Sequence, residues 1–451
     1  MGDILPWAEP AWHSGLASPY YDASHRQFQR HVRAYVDTHL LPHALAWEAA
    51  GSAPRSAREH FARSGLAFLD IPPPYRPRGL QTVAGGSGGI PHDRLDAFHE
   101  LILMDELARL PSGVAIALAG ASNVGAPPIL HAGTEEQKRR WLPGLFDWTT
   151  SFCLAITEAT AGSDVSAIRT SAVRTPDGTA YIVNGLKKWV TGAPWATHMT
   201  TAVRTTTGNS ASDISLLVIP LDSPGVSIRK IHNTGHNAGG ASWVELVDVR
   251  VPLADRLGPE GGGFGLVLRN FNKERFILAA DCNRQARVCL SEALRHAHDR
   301  ATFGQPLAAR QIVRFKLVAL ARDIEAHWAW LEQVAYHVRQ APDGWQTRDL
   351  AGPVALAKVQ GAQVVERAVR ESQQIHGGTG YERGRTMTEQ ISRDLRLKVL
   401  GGGSEEILSD LAWREEHKMA AAKAKAKEGR SCNRSSGLDG GASLGCFYRL
   451  D

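Results

Sequence analysis

The sequence predicts an α+β chain of several domains: an N-terminal α-helical domain, a small middle β-barrel or sandwich, and a C-terminal bundle of the four-helix type. Three observations predict it. At 451 residues the chain exceeds what one ordinary hydrophobic core supports, so two or three domains are expected. Between residues 151 and 260, short runs rich in Val, Ile, Thr and Tyr alternate with turn signals, Pro176-Asp177-Gly178 and Asn184-Gly185 among them. Asp-Gly and Asn-Gly supply the positive φ that two-residue hairpins need. From Gly263 onward the apolar period becomes helical and stays so over long stretches.

Taken in order, residues 1–20 carry Trp7, Trp12, Pro19 and Tyr20 without periodicity and read as an extended arm on the body. Asp22 is placed to cap a helix over 23–40, with Phe28, Val32, Tyr35 and His39 on one face and Pro42 expected to end it. A second helix, 54–64, stops at Gly65. Pro72-Pro73-Pro74 and Gly85-Gly86-Ser87-Gly88-Gly89 read as loop, and the glycine cluster lacks the strand-to-helix setting of a phosphate cradle. Helices are expected near 93–110, 112–131 and 134–142, the last opened by Thr134 ahead of Glu135-Glu136-Gln137, which completes a helical domain over 1–150. Further strands are expected at 198–204, 214–220, 226–231 and 243–249, giving a β-domain over 151–260. Long helices over 263–299, 308–340, 348–375, 388–399 and 404–416 make the bundle of 261–416. The remainder, 417–451, is basic, then rich in Gly and Ser, and is expected to be disordered.

Composition excludes several function classes. The most apolar region, Val114 to Leu130, is broken by Gly120, Gly125 and Pro127-Pro128, so no membrane span is expected. The opening MGDILPWAEP has neither signal-peptide nor transit-peptide character. Net charge is +5, but Lys418, Lys423, Lys425, Lys427, Arg430 and Arg434 against Glu428 account for the excess, so nucleic acid is not an expected partner. None of the five cysteines has CxxC spacing, which fits a reduced compartment with no metal site. The location is expected to be intracellular; cytosol, mitochondrion and peroxisome are not distinguished. Asn433-Arg434-Ser435 is a glycosylation triplet with no other sign of secretion.

The stretch from Phe152 to Gly192 is the most informative. Thr157-Glu158 and Ala161-Gly162-Ser163-Asp164 interrupt the end of an apolar strand with small groups and hydroxyls, which suits a backbone lying against a flat or phosphorylated ligand. Trp189 offers an indole face two residues from the Thr191 hydroxyl. The ordered blocks Thr157-Glu158-Ala159-Thr160-Ala161-Gly162-Ser163-Asp164 and Asn184-Gly185-Leu186-Lys187-Lys188-Trp189-Val190-Thr191 resemble the flavin-binding middle domain of the acyl-CoA dehydrogenases, with Ala159 where that family usually has proline. Gly133-Thr134-Glu135-Glu136-Gln137-Lys138 followed by Trp141-Leu142-Pro143 resembles the end of that family's helical N-terminal domain, and the likeness covers about residues 22–416. The resemblance implies FAD as cofactor. Leu154, Ile156, Thr157 and Gly162 would border it, Ser163 would sit near its pyrophosphate or the acyl-CoA thioester, Trp189 would pack on the flavin, and Thr191 would bond flavin N5.

Dehydrogenation between the α and β carbons of an acyl-CoA needs a carboxylate to take the α-proton, a hydride acceptor, and donors for the developing enolate oxygen. Many family members supply the base from an E-G-T loop before the last helix. Here Gly401-Gly402-Gly403-Ser404-Glu405-Glu406, after Arg393-Asp394, puts Gly402 at that position. A branch of long-chain and isovaleryl-type enzymes places its base on a bundle helix in an E-R pair. Glu274-Arg275, within Asn270-Phe271-Asn272-Lys273-Glu274-Arg275-Phe276, occupies that position. The resemblance thus implies Glu274 as base and the Gly402 backbone N–H as enolate donor, with Asn272, Arg275 and Gly403 on the acyl-CoA.

Arg300-Ala301-Thr302-Phe303-Gly304-Gln305-Pro306-Leu307 with Gln311, and Gln374-Ile375-His376-Gly377-Gly378-Thr379-Gly380-Tyr381, are also similar to family motifs. They imply that Arg300, Thr302, Phe303, Gln311, Gln374 and Gly378 reach the FAD of a neighbouring subunit, and that Ser404 and Glu406 touch the chain's own. A homodimer or homotetramer follows from that sharing, and electron-transfer flavoprotein is the family's usual electron acceptor. His376 reads as structural, and Asp281 as a second carboxylate of undetermined direction. Two other readings stand beside the dehydrogenase: an acyl-CoA or nitroalkane oxidase that uses O₂, and a catalytically silent flavoprotein scaffold. The absence of a loop carboxylate at Gly402 counts against nitroalkane oxidation, and Glu274 counts against the scaffold.

Overall fold

The computed structural model describes residues 5–84, 88–206 and 210–435; most of the glycine cluster at 85–89 and the end of the tail, 436–451, lie outside the described residues. The N-terminal domain holds α1 (Ala23–Tyr35), α2 (Leu41–Ala50), α3 (Arg55–Arg63), α4 (Ala97–Leu107), α5 (Ser112–Ala115), α6 (Ala121–Gly125), α7 (Pro127–Ala132) and α8 (Glu135–Trp141). A two-stranded ribbon, β1 (Thr82–Val83) with β2 (Ile90–Pro91), joins them. Asp22 and Asp96 cap α1 and α4 with the same device: each carboxylate accepts from the helix, while the N-cap N–H is taken by a histidine three residues on, His25 or His99. The Asp96 cap starts α4 at Ala97, so the helix expected from 93 begins later, after a 3₁₀ turn at His92–Arg94.

Pro42 does not end the first helix. A π-turn over Val36–Leu40 absorbs one residue, Leu41 N–H reaches the Val36 carbonyl, and Pro42 falls in the opening turn of α2, where a missing N–H leaves nothing unpaired. The helix stops at Gly51 instead, in the left-handed conformation at φ +76°. The segment Ser112–Ala132 also departs from expectation. Pro127-Pro128 breaks its hydrogen-bond ladder after α6, yet taken together its 21 residues are long and apolar enough to cross a membrane. It is, however, 67% buried within the protein, as the central helix of a core.

The middle domain is one eight-stranded mixed sheet, in the order β10-β7-β6-β4-β5-β9-β8, with β3 (Phe152–Ala155) pairing parallel to β6. Its other strands are β4 (Ser171–Arg174), β5 (Ala180–Val190), β6 (His198–Arg204), β7 (Ile214–Pro220), β8 (Val226–Lys230), β9 (Ser242–Pro252) and β10 (Arg256–Leu257). The sheet curls over its own apolar interior, in which Cys153, Ala172, Tyr181, Val203, Leu217 and Val249 meet from six strands. Asp177-Gly178 makes the expected hairpin between β4 and β5, with Gly178 at φ +68°. Asn184-Gly185 does not turn the chain. It lies inside β5 as a bulge, where the register against β9 shifts between Val183 and Gly185. Only glycine fits there, because a Cβ on Gly185 would stand 2.5 Å from Thr170 Oγ1, at φ +159°.

The bundle comprises α9 (Gly263–Asp299), α10 (Gln311–Gln340), α11 (Ala351–His376), α12 (Met387–Leu400) and α13 (Glu405–Ser435), with a small ribbon, β11 (Ala301–Thr302) and β12 (Gln305–Pro306), between α9 and α10. Cys282, Leu290, Leu320, Val365 and Ile391 form the seam of its first four helices. The last helix is longer than expected: α13 continues past 416 to Ser435, because the Ala/Lys-rich run 420–427 has high helix propensity and no breaker. The disorder expected of 417–451 therefore does not hold for its first part. The arm at the start of the chain is fastened deep in the molecule. Glu9 is buried between Arg33 of α1 (2.8 and 2.9 Å) and Arg284 of α9 (3.0 Å), and Arg287 donates to the Trp7 and Glu9 carbonyls.

Candidate active site

The loop after β3 is held open by a buried ion pair. Lys187, fully buried in β5, donates to Glu158 Oε1 (2.9 Å) and to the Ile156 carbonyl (3.0 Å). Glu158 also accepts from Arg169 N, Thr170 N and Thr170 Oγ1 (2.7, 2.9 and 2.6 Å). These donors hold the Glu158 carboxyl below its usual range against the cost of burial, while burial lowers Lys187 to about 8. With Glu158 and Lys187 turned inward, the small residues between them face out: Gly162 and Ser163 are exposed, and a Cβ on Gly162 would meet nothing within 4 Å. Neither member of this pair was assigned a role from the sequence. The opposite charges within the two matched blocks were the available signal.

A second bulge in β5, between Lys187 and Val190, throws Trp189 outward. Its backbone sits at φ +65°, a strained region for an aromatic residue, and its ring is 49% exposed. Lys188 N–H bonds the Thr157 carbonyl (2.9 Å), which joins the two matched blocks directly. Leu154 and Thr157 are half-buried at the strand end, Ile156 is buried, and Thr191 is half-buried two residues beyond Trp189. An open cradle of small residues beside a presented indole face fits a flat, phosphate-bearing group such as FAD.

Glu274 lies on α9, where burial is the largest effect on its carboxyl and raises it to about 8; Arg275 and a hydrogen bond from Asn270 oppose the rise. Asn270 Nδ2 donates to Glu274 Oε1 (2.5 Å) and to the Val124 carbonyl at the end of α6 (3.1 Å). Arg275 Nε donates to the Gly402 carbonyl (2.9 Å), so this guanidinium is engaged with the loop. Buried Lys358 clamps the same loop through the Val399 (2.6 Å) and Gly403 (2.9 Å) carbonyls. Gly402 and Gly403 both adopt positive φ, +69° and +114°, and a Cβ on Gly402 would stand 3.0 Å from Leu278 Cδ1. With the Gly402 and Gly403 carbonyls committed to two cations, the N–H groups of the same two peptides, those of Gly403 and Ser404, point the opposite way. Among the described residues, the Gly402 and Gly403 N–H groups have no acceptor. Asn272 is buried on the same turn of α9 as Glu274.

The remaining predicted residues gather on the outer surface of the bundle. Phe303 is 98% exposed at the tip of the β11–β12 ribbon, flanked by exposed Arg300 and Gln311, with Thr302 half-buried. Gln374 and Gly378 are exposed where α11 stops at Gly377 (φ +61°), and Gln374 lines an open cleft of about 720 Å³ with Arg370, Arg393 and Arg396. Ser404 and Glu406 open α13, with Ser404 half-buried and Glu406 exposed. A single chain thus brings Glu274, Arg275, Gly402 and Gly403 together but leaves the ribbon and the α11 terminus facing solvent. His376 is buried, with Nδ1 2.8 Å from the Ser372 carbonyl and its ring against His296, a structural position. Asp281 is paired with Lys398. Asn270 and Lys358 were not singled out from the sequence. The four-residue spacing of Asn270 and Glu274 on a helix was the signal for the first; nothing local marks the second.

Three family models match in succession: the acyl-CoA dehydrogenase N-terminal domain over residues 22–148, the middle domain over 153–249 and the C-terminal domain over 261–415. An acyl-CoA dehydrogenase of Emericella nidulans is 37% identical over 426 residues, covering 93% of this chain and 97% of its own. Another from Alternaria alternata is 39% identical over 424 residues, with the same coverage. Among solved structures, a probable acyl-CoA dehydrogenase from Mycobacterium abscessus superposes with a TM-score of 0.77 at 30% identity, over 88% of this chain and 99% of that one. These matches run through the flavin-type cradle and the half-buried carboxylate alike: the chain belongs to the acyl-CoA dehydrogenase family, FAD-dependent oxidoreductases acting on the CH–CH group of acyl-CoA thioesters.

Proposed function

We propose that this chain dehydrogenates an acyl-CoA between its α and β carbons, with Glu274 as the base. The observation that carries the reading is the half-buried Glu274 carboxyl, raised to about 8 chiefly by desolvation, next to an arginine that fixes the glycine turn at 402–403. A dry carboxylate with a raised pKa is a stronger base toward a weakly acidic C–H. The Gly402 and Gly403 N–H groups, left without an acceptor among the described residues, would stabilise negative charge on the thioester oxygen as the α-proton leaves. Trp189, Thr157, Ser163 and Thr191 would hold FAD, which when bound supplies the acceptor for the β-hydride. The products are the 2-enoyl-CoA and the reduced cofactor, with the α-proton on Glu274. Ser163, Asn272 and Arg275 would border the CoA end of the substrate, Arg275 through the turn it anchors.

The exposed Phe303 ribbon and the Gln374–Gly378 terminus support a homodimer or homotetramer in which each chain completes its neighbour's FAD site; a fully exposed aromatic flanked by an arginine is a contact in waiting. Electron-transfer flavoprotein is the proposed acceptor of the reducing equivalents. The test is anaerobic spectral titration of the FAD-loaded protein with straight and branched acyl-CoAs. Bleaching of the flavin band by one set supports the reading and names the substrate class. A protein that holds FAD and is bleached by none of them sinks it.

A further inference from the structure

The base has a fixed partner that the resemblance did not supply. Pro127-Pro128 interrupts the helical ladder after α6. Pro128 has no N–H, so the Val124 carbonyl, four residues back, lacks its helical donor. The side chain of Asn270, on the facing helix α9, fills that vacancy at 3.1 Å. A backbone carbonyl can only accept, so this contact decides which end of the amide faces it: the NH₂ end. The second hydrogen of the same nitrogen then points at Glu274 Oε1, 2.5 Å away. The amide is buried and cannot turn over without setting two acceptors against each other.

We infer that Asn270 is a positioning residue for the proton-abstracting carboxylate: clamped on the Val124 carbonyl, its amide holds Glu274 Oε1 and leaves Oε2 as the oxygen that meets the substrate's α-hydrogen. This rests on the reading of Glu274 as base. Asn270 can only donate in this geometry, so it favours the ionised carboxylate, the form that accepts a proton. The other groups around Glu274 do not duplicate it. Arg275, beside it on α9, is turned to the Gly402 carbonyl; Lys273 is committed to Asp70 and Glu100; α6 offers a backbone carbonyl, and the 401–403 turn carries no side-chain charge. One neutral amide therefore directs the carboxylate and lowers the pH at which it works, against the larger upward effect of desolvation. Because the tether runs to Val124, the Pro127-Pro128 break in the N-terminal domain and the base in the bundle act as one unit.

The experiment compares Asn270→Leu and Asn270→Asp with the parent holoenzyme in stopped-flow flavin reduction by an acyl-CoA that bleaches it, across pH 6 to 10. Loss of a hydrogen bond to a charged group raises the apparent pKa of the reduction rate by about 1 unit in Asn270→Leu, and by more in Asn270→Asp, where a second carboxylate opposes ionisation. The limiting rate at high pH falls roughly tenfold as the carboxylate loses its direction, while acyl-CoA affinity changes less than about twofold. A substrate-free measurement runs beside it: the stability lost as Glu274 ionises, read as the difference in melting temperature from Glu274→Gln, extends to higher pH in the Asn270→Leu background. A purely structural role would lower melting temperature and FAD content without moving either pH profile. Profiles that coincide with the parent in an FAD-loaded variant overturn the inference; if Asn270→Leu does not hold FAD, the near-isosteric Asn270→Asp decides. Glu274→Gln separates the two layers. If that variant is still reduced at the parent rate, the base reading itself falls; if it is inert and the Asn270 profiles are unmoved, only the positioning role falls.

Discussion

Replacing Glu274 by Gln trades activity for stability, and the trade depends on pH. The folded protein holds this carboxyl at about 8 against an ordinary value of 4.5, chiefly by desolvation. Such a group favours the native state only while protonated: its contribution is whole below pH 4.5 and is lost progressively as pH rises to about 8. At roughly 1.4 kcal/mol per pH unit, the full rise corresponds to an upper bound of about 5 kcal/mol against folding at alkaline pH. Glu274 keeps some solvent access and accepts from Asn270, so a realistic figure is about 2–3 kcal/mol. Glu274→Gln removes the ionisation while keeping shape, and is expected to be inert in flavin reduction yet more stable than the parent. The assay is thermal unfolding of both holoproteins from pH 5 to 9.5. The two melting temperatures are expected to be close near pH 5, to diverge with rising pH, and to run parallel above about pH 8.5. A constant gap across the range would refute the claim that this carboxyl is held out of water. A rate of flavin reduction in the parent that does not climb through pH 8 would contradict the same claim from the catalytic side.

Other substitutions test the surrounding parts. Lys187→Met leaves Glu158 buried without its cation, so a loss of about 3–5 kcal/mol is expected, with release of FAD, read by melting temperature and by flavin absorbance after gel filtration. Gly402→Ala places a methyl against Leu278 at positive φ; flavin reduction is expected to slow at least tenfold with FAD retained, and stopped-flow rates check it. Phe303→Asp alters a side chain that is 98% exposed and meets only the Arg310 guanidinium over its ring, so the monomer's secondary structure by circular dichroism is expected to be unchanged while light scattering shows a smaller particle and FAD affinity falls. Gly185→Ala drives a methyl into Thr170 within the β5 bulge and is expected to cost about 2 kcal/mol or more, measured as a lower melting temperature.

What the sequence made legible, and what it hid, follows from the range over which each signal acts. The Asp22 and Thr134 caps, the Asp177-Gly178 hairpin and the start of α9 at Gly263 are decided within a few residues, and the local pattern shows them. Asn184-Gly185 is as good a local turn signal as Asp177-Gly178, yet β5 runs straight through it. Its outcome is decided by β9, some sixty residues later, where Asp248 and Asn184 exchange hydrogen bonds of 3.0 and 2.8 Å. Pro42 opens α2 instead of ending the first helix for a similar reason: the π-turn over Val36–Leu40 just ahead of it cannot be seen in composition. The E-R pair and the triple glycine are legible as local patterns, but what binds them together is long-range: Arg275 to Gly402, Lys358 to Val399 and Gly403, Asn270 to Val124. The half-exposure of Trp189 and the full exposure of Phe303 were equally invisible, since nothing in a sequence distinguishes an aromatic that fills a core from one that waits for a partner.

The fastening of the N-terminal arm bears on how the chain is made. Glu9 leaves the ribosome 275 residues ahead of its partner Arg284, which emerges only after the helical domain and the β-domain between them. Until then Glu9 and Asp105 face a position that has not been synthesised, and an isolated fragment ending before α9 would carry buried acids with half their counter-charge missing. The helical domain therefore matures late, although it comes first. A change that removes the Glu9 carboxylate thus acts on the closure between the helical domain and α9 rather than on the helical domain alone.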